Sequence, residues 1–321
     1  MTTLLQPTVY TVDPWDPGYG VADELDGRES TAEVELNFEL PAEQWRPLDP
    51  DRTVRVPSTI LFLDGVRRID ARVWAHNGAP QPVPGVAASL AVGLVRCDGA
   101  AHVVGVRVDR GIYTAAVDAT NIETRHATYL LRESPAGLDR IQSAVQNRLT
   151  ELEIELANDW RADNTGDDLL VLDGPLRSRV NLARAVGYVK THNKAYLAHS
   201  QAETVARLAT GQRTPIFTMG TSWTRRSWYL RLPGASQTPW SAIVRLECSA
   251  DIPRDDTIAL ADITATILPA YASTPHKDAR APQNLVPIGG LERHLRHRLG
   301  DPAILYRQLR VSLHTDRSRI G

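Results

Sequence analysis

Cysteine, lysine and long apolar runs are all scarce in this chain of 321 residues. The two cysteines, Cys97 and Cys248, are too few and too far apart for a disulfide framework or a CxxC-type zinc site. No apolar run approaches the ~20 residues that a membrane-spanning helix needs. The N-terminus lacks the basic start and the apolar stretch of a secretory signal. These absences predict a cytoplasmic protein without structural zinc or thiol redox chemistry.

Several catalytic motifs are also missing. The sequence contains no GxxxxGK[ST], no GxGxxG that opens a helix, and neither HExxH nor GxSxG. The first absence argues against ATP hydrolysis through a P-loop. Metal-dependent phosphodiester hydrolysis needs none of these motifs, because carboxylates can hold the ions that activate water.

Charge is unevenly distributed along a chain whose net charge is only −2. Residues 1–50 hold 11 acidic residues and two arginines, a net −9, so the remaining chain carries +7. Only three of the 36 basic residues are lysines. Genome composition can cause this bias, but the arginine fork also matches phosphate geometry better than lysine does. A basic body behind an acidic N-terminal arm is compatible with a polyanionic substrate.

The apolar pattern predicts a mixed-sheet α/β domain. A long helix is expected from Ser134-Pro135 to about Trp160, with an apolar stripe at three- and four-residue spacing. Ser200 and Glu203 indicate a capping box for a second helix. Two more helices are expected at 291–299 and 303–313. The strands are predicted at 33–40, 59–65, 67–74, 86–95, 102–113, 169–174, 186–190, 215–217, 228–232 and 242–248.

Two aspartates follow apolar runs that have the pattern of buried strands. Asp64 follows the run 59–63 and Asp173 the run 169–172, and glycine comes next in both places. Ligands bind at the ends of central strands in open α/β sheets, so neighbouring strands would bring both carboxylates into one crevice. Close like charges are costly unless a cation or a proton separates them, and oxygen ligands suit Mg²⁺ and Mn²⁺. The alternative is that each Asp-Gly is only a turn.

The long helix offers a third carboxylate. Glu151, Glu153 and Glu155 lie along it, and Glu153 is nearest to the edge of the apolar stripe on a helical wheel. Glu153 is therefore the predicted partner of the two aspartates, with Glu155 as the reserve candidate. The alternative is that all three form a solvated helix face.

Basic and aromatic residues supply candidate phosphate contacts. Lys190 follows a buried strand and is either a phosphate ligand or an ordinary surface lysine. His294 and His297 lie three residues apart in the predicted helix 291–299, and one of them is expected to be only a surface residue. Residues 223–231 mix rings and cations, a combination suited to stacking on bases, although half of these rings fit a strand core as well. The DNA-binding candidates are Arg67, Arg177, Arg225, Arg226, Trp228 and Arg231.

Taken in order, these motifs resemble the NurA nuclease family. The resemblance spans about 59–313. It implies a ribonuclease H-like core, a homodimer, dependence on Mn²⁺ and degradation of DNA by 5′ to 3′ exonuclease and single-strand endonuclease activities. Its motifs are Leu63-Asp64-Gly65-Val66-Arg67, the glutamate-bearing helix, Leu172-Asp173-Gly174-Pro175-Leu176, Val186-Gly187-Tyr188-Val189-Lys190-Thr191, and the helix with His294 after Pro287.

The resemblance also implies a partner and residue roles. The expected partner is a HerA-type hexameric DNA-translocating ATPase, working with the nuclease in DNA end resection or antiviral defence. Asp64, Glu153 and Asp173 would bind Mn²⁺, or Mg²⁺ in its place. His294 or Lys190 would orient the scissile phosphate or assist proton transfer. On this interpretation residues 51–321 form the nuclease domain and residues 1–50 an acidic arm that contains a strand.

Two other classes of function stay open. A ribonuclease H-like module could bind DNA or an ATPase ring without cutting, with carboxylates that serve only structure. A metal-dependent phosphoesterase that acts on small molecules would not bind DNA at all. Metal binding separates the nuclease from the first alternative, and DNA binding separates it from the second.

Overall fold

The computed structural model of this chain describes residues 32–75, 81–117, 119–164, 166–191, 196–220, 223–234 and 240–320, without the side chains of 314–320. The described residues form eleven strands and five α-helices. The strands are β1 (Glu33–Glu35), β2 (Thr59–Ala75), β3 (Val83–Cys97), β4 (Ala101–Thr114), β5 (Ile122–Glu123), β6 (Thr128–Glu133), β7 (Asp168–Asp173), β8 (Ala185–Val189), β9 (Phe217–Gly220), β10 (Thr224–Arg231) and β11 (Ile243–Ser249). The helices are α1 (Leu138–Asp163), α2 (His199–Ala206), α3 (Arg254–Ile267), α4 (Val286–Arg298) and α5 (Pro302–Ile320).

The contacts divide the chain into two compact units. Unit 1 comprises Met1–Val56, Gly174–Val180 and Val186–Val286, and unit 2 comprises Pro57–Asp173, Asn181–Ala185 and Pro287–Gly321. The mixed α/β class that the sequence predicts is confirmed. The predicted division into an arm and one domain at residue 50 stays a prediction. In the described part of the chain, no helix combines the length and the apolar character needed to span a membrane.

Unit 2 is built on a mixed sheet of six strands in the order β7-β2-β3-β4-β6-β5. Strands β2, β3 and β4 form an antiparallel meander. Strand β7 pairs in parallel with β2, and β6 pairs in parallel with β4. Because parallel neighbours need a crossover connection, the chain passes through α1 before it returns to the sheet as β7.

The prediction of two short strands at 59–65 and 67–74 is wrong, because one continuous strand, β2, covers both ranges. The chain stays extended through Asp64-Gly65 and pairs with β3 as far as Ala75, with one irregularity between Ile69 and Ala71. The first half of β2 is buried on both faces, whereas burial alternates in the second half. A change in burial within one strand therefore produced the change in sequence pattern. Asp64-Gly65 is not a turn.

Helices cover both faces of the unit 2 sheet. On one face α1 buries the predicted apolar stripe, which includes Leu149 and Leu156. The helix begins after Gly137, whose φ of 110° suits glycine, and not at Ser134-Pro135 as predicted. On the other face α4 packs so closely that a Cβ on Gly93 would lie 2.6 Å from Leu291 Cδ1.

Two arginines from the sheet hold the end of α4. Arg68 donates hydrogen bonds to the carbonyl oxygens of Leu299 and Gly300, at 3.2 and 2.8 Å, and Arg110 donates to Leu299 at 3.1 Å. The last carbonyls of a helix have no partner inside it, and the negative end of its dipole attracts cations. These contacts fix the position of α4 over the sheet.

Asp168 anchors the start of β7 through Arg161 and Arg184. Its Oδ1 lies 2.9 Å from Arg161 Nη2 and 2.8 Å from Arg184 Nε, and its side chain is buried. Although burial alone would raise the pKa of Asp168, the two arginines hold it below the ordinary value of 3.8.

We expect Asp168→Asn to lower the free energy of unfolding at pH 7 by about 1.5–3 kcal/mol, the usual contribution of hydrogen bonds to a charged group. A lowered folded-state pKa gives stability that is present above pH 3.8 and is lost as the pH falls through the folded-state value. The difference between wild type and variant should therefore narrow below that pH. Denaturant titrations between pH 7 and pH 3 measure the free energy of unfolding of both proteins. If the difference between them does not change with pH, the proposed contribution of the ion pairs is contradicted.

Unit 1 is built on an antiparallel sheet in the order β1-β9-β10-β11-β8, with Ala185 of β8 assigned to unit 2. Its helices are α2 and α3. The sequence patterns did not predict α3, because polar residues (Thr257, Asp262 and Thr264) occupy much of its buried face. The predicted capping box of α2 is wrong. The helix begins at His199, and the Ser200 hydroxyl donates to Gln201.

The segment that follows β1 enters the core of unit 1 and is held there by a buried ion cluster. Glu39 accepts hydrogen bonds from Arg213 at 2.8 and 2.9 Å and from the Ile216 N–H at 2.8 Å. Arg213 also donates to Asp262 at 2.7 Å. The predicted strand at 33–40 is therefore confirmed only as the short β1, because the chain turns at 37–39 to bring Glu39 inward.

Candidate functional site

Asp64 and Asp173 occupy matched positions on neighbouring parallel strands of unit 2. Leu63 of β2 pairs with Leu172 of β7, and each aspartate is the next residue along its strand. Neighbouring strands lie about 4.8 Å apart, and equal register directs the two side chains to the same face. Asp64 is buried and Asp173 is half-buried. The two strands are neighbours, which is the condition that the sequence argument set for bringing the aspartates together.

The packing around Gly65 and Gly93 identifies the face on which the aspartates lie. A Cβ on Gly65 would lie 3.0 Å from Oε1 of Glu153, so Gly65 faces α1. Side chains alternate along a strand, and Asp64 therefore faces away from α1. Asp64 is paired with Gly93, which faces α4. Both aspartates are thus on the α4 face of the sheet.

Glu153 is the buried member of the helix glutamates, as the helical wheel predicts. It is 4% exposed. Glu151 and Glu155 are instead exposed and form ion pairs with Arg148, at 3.1 and 2.8 Å. The predicted reserve candidate, Glu155, is therefore occupied on the outer side of α1. Glu153 lies beside Gly65 on the α1 face, whereas the two aspartates belong to the α4 face.

The donor set fits a divalent ion that takes few protein ligands. Within the described ranges, no three histidine, cysteine, aspartate or glutamate side chains are grouped so that they could hold a metal together. Mg²⁺ usually binds one or two carboxylates and completes its coordination with water and substrate phosphates. Asp64 and Asp173 provide such a pair of oxygen ligands. Glu153 lies on the other face of the sheet from the two aspartates, and its membership of a three-carboxylate site stays a prediction.

His294 lies on the helix that covers the aspartate face. It precedes the buried Leu295 by one residue, and its side chain is exposed. His297 is exposed as well, in the last turn of α4. The location of His294 is compatible with a group that approaches a phosphate from solvent, and its role stays a prediction.

Lys190 is not a surface lysine. It is 5% exposed in unit 1, and its Nζ donates to Oδ1 of Asn284 at 2.7 Å. Asn284 donates in turn to Asp278 at 2.6 Å. Although burial alone would raise the pKa of Asp278, hydrogen bonds from Arg280 and Asn284 hold it below its ordinary value. Lys190 therefore belongs to a buried polar network, and its role at a phosphate stays a prediction.

The proposed DNA-binding arginines lie in different environments. Arg67 and Arg177 are exposed and accessible to a polyanion. Arg226 is half-buried, with its guanidinium 4.0 Å from the centre of the Phe38 ring. Arg231 donates to backbone carbonyl oxygens of unit 1, including that of Ser241 at 3.1 Å. Arg226 and Arg231 thus both contact groups within unit 1.

The prediction that Trp228 stacks on a base is wrong. The ring is fully buried in the core of unit 1, and its indole N–H donates to Thr264 of α3 at 3.2 Å. Alternation along β10 explains this, because Trp228 is on the face that α3 covers. Arg225 is buried too, at 6% exposed, so it is not a surface contact of the kind that the sequence predicted.

Sequence reasoning missed the residues that surround Arg225. Glu247 Oε2 accepts a hydrogen bond from Arg245 Nη1 at 2.6 Å and lies 3.1 Å from Arg225 Nε. Glu247 Oε1 accepts from the backbone N–H of Leu176 at 2.7 Å. We call these three charged side chains the Arg225–Arg245–Glu247 cluster. Its only signal in the sequence is that Arg245 and Glu247 share one face of an otherwise apolar strand.

A scan against protein-family models and a search of the curated proteins find no match to this chain. The resemblance to NurA nucleases therefore depends on the sequence motifs alone.

Proposed function

We propose that this protein is a Mn²⁺-dependent deoxyribonuclease in which Asp64 and Asp173 bind the metal. The supporting observation is their matched position on parallel neighbours β2 and β7, on one face of the sheet. Two carboxylates at such positions supply oxygen ligands of the kind that a divalent cation prefers. Mg²⁺ is the natural substitute for Mn²⁺, because both are suited to oxygen ligands.

The strand order of unit 2 supports a ribonuclease H-like core. Three antiparallel strands lie in the order β4-β3-β2, and a parallel fourth strand, β7, follows a helix and pairs with the first. This arrangement is typical of ribonuclease H-like folds. It also accounts for the position of the two aspartates, since one is on the first strand and the other ends the fourth.

The residues of the chain have separable roles in the proposed reaction. Bound Mn²⁺ would supply the Lewis acidity that activates water and stabilises the departing 3′ oxygen. Asp64 and Asp173 hold that charge at the sheet, and His294 orients the scissile phosphate or transfers a proton. Exposed arginines would contact backbone phosphates, which position DNA without reading its sequence. Cleavage should therefore show little sequence preference.

The wider biology of the proposal comes from the resemblance of the motifs to NurA nucleases. We propose 5′ to 3′ exonuclease and single-strand endonuclease activities, a homodimer, and a HerA-type hexameric ATPase as the partner. DNA end resection or antiviral defence in the cytoplasm is the proposed setting.

A non-catalytic module that binds DNA or an ATPase ring is the second candidate. The position of Glu153 favours it, because this carboxylate lies on the α1 face and the two aspartates on the α4 face. Such a module would bind DNA with the salt dependence of phosphate contacts but would leave the strand intact.

The test of the proposed function is cleavage of end-labelled single- and double-stranded DNA with Mn²⁺, Mg²⁺ or EDTA. We expect strand cutting with Mn²⁺, complete loss in EDTA, and recovery when excess Mn²⁺ is added, because the metal activates the attacking water. Parallel reactions include a HerA-type ATPase. If DNA stays intact in every reaction but still binds, the nuclease proposal is refuted and the non-catalytic module is supported.

A further inference from the structure

We propose that the Arg225–Arg245–Glu247 cluster of unit 1 is a binding site for a phosphate group. Two guanidinium groups share one carboxylate there, so the cluster carries a net charge of +1. The three side chains are only 7%, 3% and 0% exposed. The inference does not depend on metal chemistry at the aspartates, because phosphate binding is measured without cleavage.

The sheet itself brings the cluster together. On the antiparallel strands β10 and β11, Ser227 pairs with Glu247 and Tyr229 pairs with Arg245. Arg225 is two residues before Ser227, so all of these side chains are on the same face. Arg245 is well bound, since its Nη1 donates to Glu247 at 2.6 Å and contacts Ser227 Oγ at 3.4 Å.

Arg225 lacks the acceptors that a buried cation requires. Among the residues that the structure describes, its Nη1 has no hydrogen-bond partner, and its Nε lies 3.1 Å from Glu247 Oε2 without forming a hydrogen bond. Both oxygens of Glu247 are already occupied, by Arg245 and by the Leu176 N–H. A buried charged donor without an acceptor is costly, and a bound ion is one recognised explanation for it.

The charge of the cluster favours phosphate as the missing acceptor. Burial lowers the pKa of Arg225, with the like charge of Arg245 acting in the same direction and Glu247 opposing both. Water would satisfy a donor but would not neutralise the excess charge, whereas an anion does both. A phosphate oxygen can accept a charge-assisted hydrogen bond from the guanidinium Nη1.

The half-buried ring of Trp223 adds a feature that suits a nucleotide. The Arg225 guanidinium lies 4.8 Å from the centre of this ring, within cation–π distance. An aromatic ring beside a phosphate-binding arginine is a common combination in single-strand binding sites. The phosphate could come from a DNA strand or from a free mononucleotide or orthophosphate, and both sources use the same chemistry.

The experiment measures binding in EDTA by calorimetry and by thermal shift. The probes are orthophosphate, thymidine 5′-monophosphate, and a short oligothymidylate with or without a 5′ phosphate. We expect Arg225→Gln to weaken phosphate binding at least tenfold and to remove the thermal shift that phosphate produces. Arg207→Gln is the matched control, because it removes the same charge from an exposed position in unit 1 and should leave binding unchanged.

The stability of the ligand-free variant separates a binding site from a structural ion pair. If Glu247 compensates the charge of Arg225 only in part, ligand-free Arg225→Gln should melt at the wild-type temperature or above it. Preference for the oligonucleotides would identify the source as a strand, and equal affinity for orthophosphate would identify a free anion. The proposal is overturned if the wild type binds none of the probes, or if wild type and Arg225→Gln bind every probe equally.

Discussion

Asp64→Asn and Asp173→Asn should each reduce Mn²⁺-dependent DNA cleavage by at least about a hundredfold. Residues that only support a metal ligand change activity or affinity by about 10–100-fold, so a direct ligand should matter no less. Asparagine keeps the size of the side chain but removes its negative charge and one of its oxygen ligands. Initial rates on end-labelled DNA at saturating Mn²⁺ measure the effect.

The control for this pair is Asp98→Asn in the β3–β4 hairpin of unit 2. Asp98 forms an ion pair with Arg96 at 3.1 Å, and both side chains are partly exposed. We therefore expect Asp98→Asn to leave cleavage unchanged. Melting temperatures separate lost chemistry from lost folding. Wild-type cleavage by either folded variant would refute the assignment of that aspartate.

Glu153→Gln distinguishes the two-ligand site from the three-carboxylate site that the resemblance implies. Because Glu153 lies beside Gly65 on the α1 face, we expect a smaller loss of cleavage than for either aspartate. A loss as large as that of Asp64→Asn would mean that the three carboxylates act together when DNA and metal are bound. This comparison uses the same assay and the same metal concentrations.

The largest expected effect on stability is that of Arg213→Met in unit 1. The side chains of Glu39 and Asp262 are only 9% and 7% exposed, and both form ion pairs with this guanidinium. Although burial opposes it, the two carboxylates raise the pKa of Arg213. Its removal leaves two buried negative charges without a counter-ion, and breaking a buried pair costs about 3–5 kcal/mol. Denaturant unfolding at pH 7 measures the loss.

Arg296→Met provides the matched comparison, because it removes an arginine whose side chain is 65% exposed and paired with Glu292 one turn away. Exposed pairs of this kind contribute about 0.3–0.5 kcal/mol. If Arg213→Met costs no more than Arg296→Met, the buried cluster does not hold the segment after β1 in unit 1. A large loss would identify Arg213 as the residue that anchors this segment.

Several elements of the fold were predictable because the apolar pattern of their own residues shows which positions are buried. Continuous apolar runs predicted β7 and β8, and the spacing of Leu149, Leu152 and Leu156 predicted which face of α1 is covered. The same stripe identified Glu153 as the glutamate that turns inward. In each case the apolar residues recur at the spacing of a helix or strand, because they lie on the buried side of a single element.

Other features depend on contacts between distant residues and leave no local period. The strand β2 looks like two elements because its burial changes halfway along, and α3 buries threonines and an aspartate whose partners come from elsewhere. Trp228 and Arg225 looked like a nucleic-acid surface, but α3 covers the first and the second lies beside Glu247 in the buried cluster. Residue type alone does not reveal which neighbour satisfies a polar group.

By itself the sequence determined the mixed α/β class, the strands that end in Asp-Gly or contain it, and the buried glutamate of α1, because each depends on local periodicity. Only the tertiary structure decided that Asp64 and Asp173 share the α4 face while Glu153 approaches from α1. Strand register and alternation set these directions, and register is a property of paired strands. The excess positive charge around Arg225 has the same origin, since it exists only where β10 and β11 place two arginines beside one glutamate.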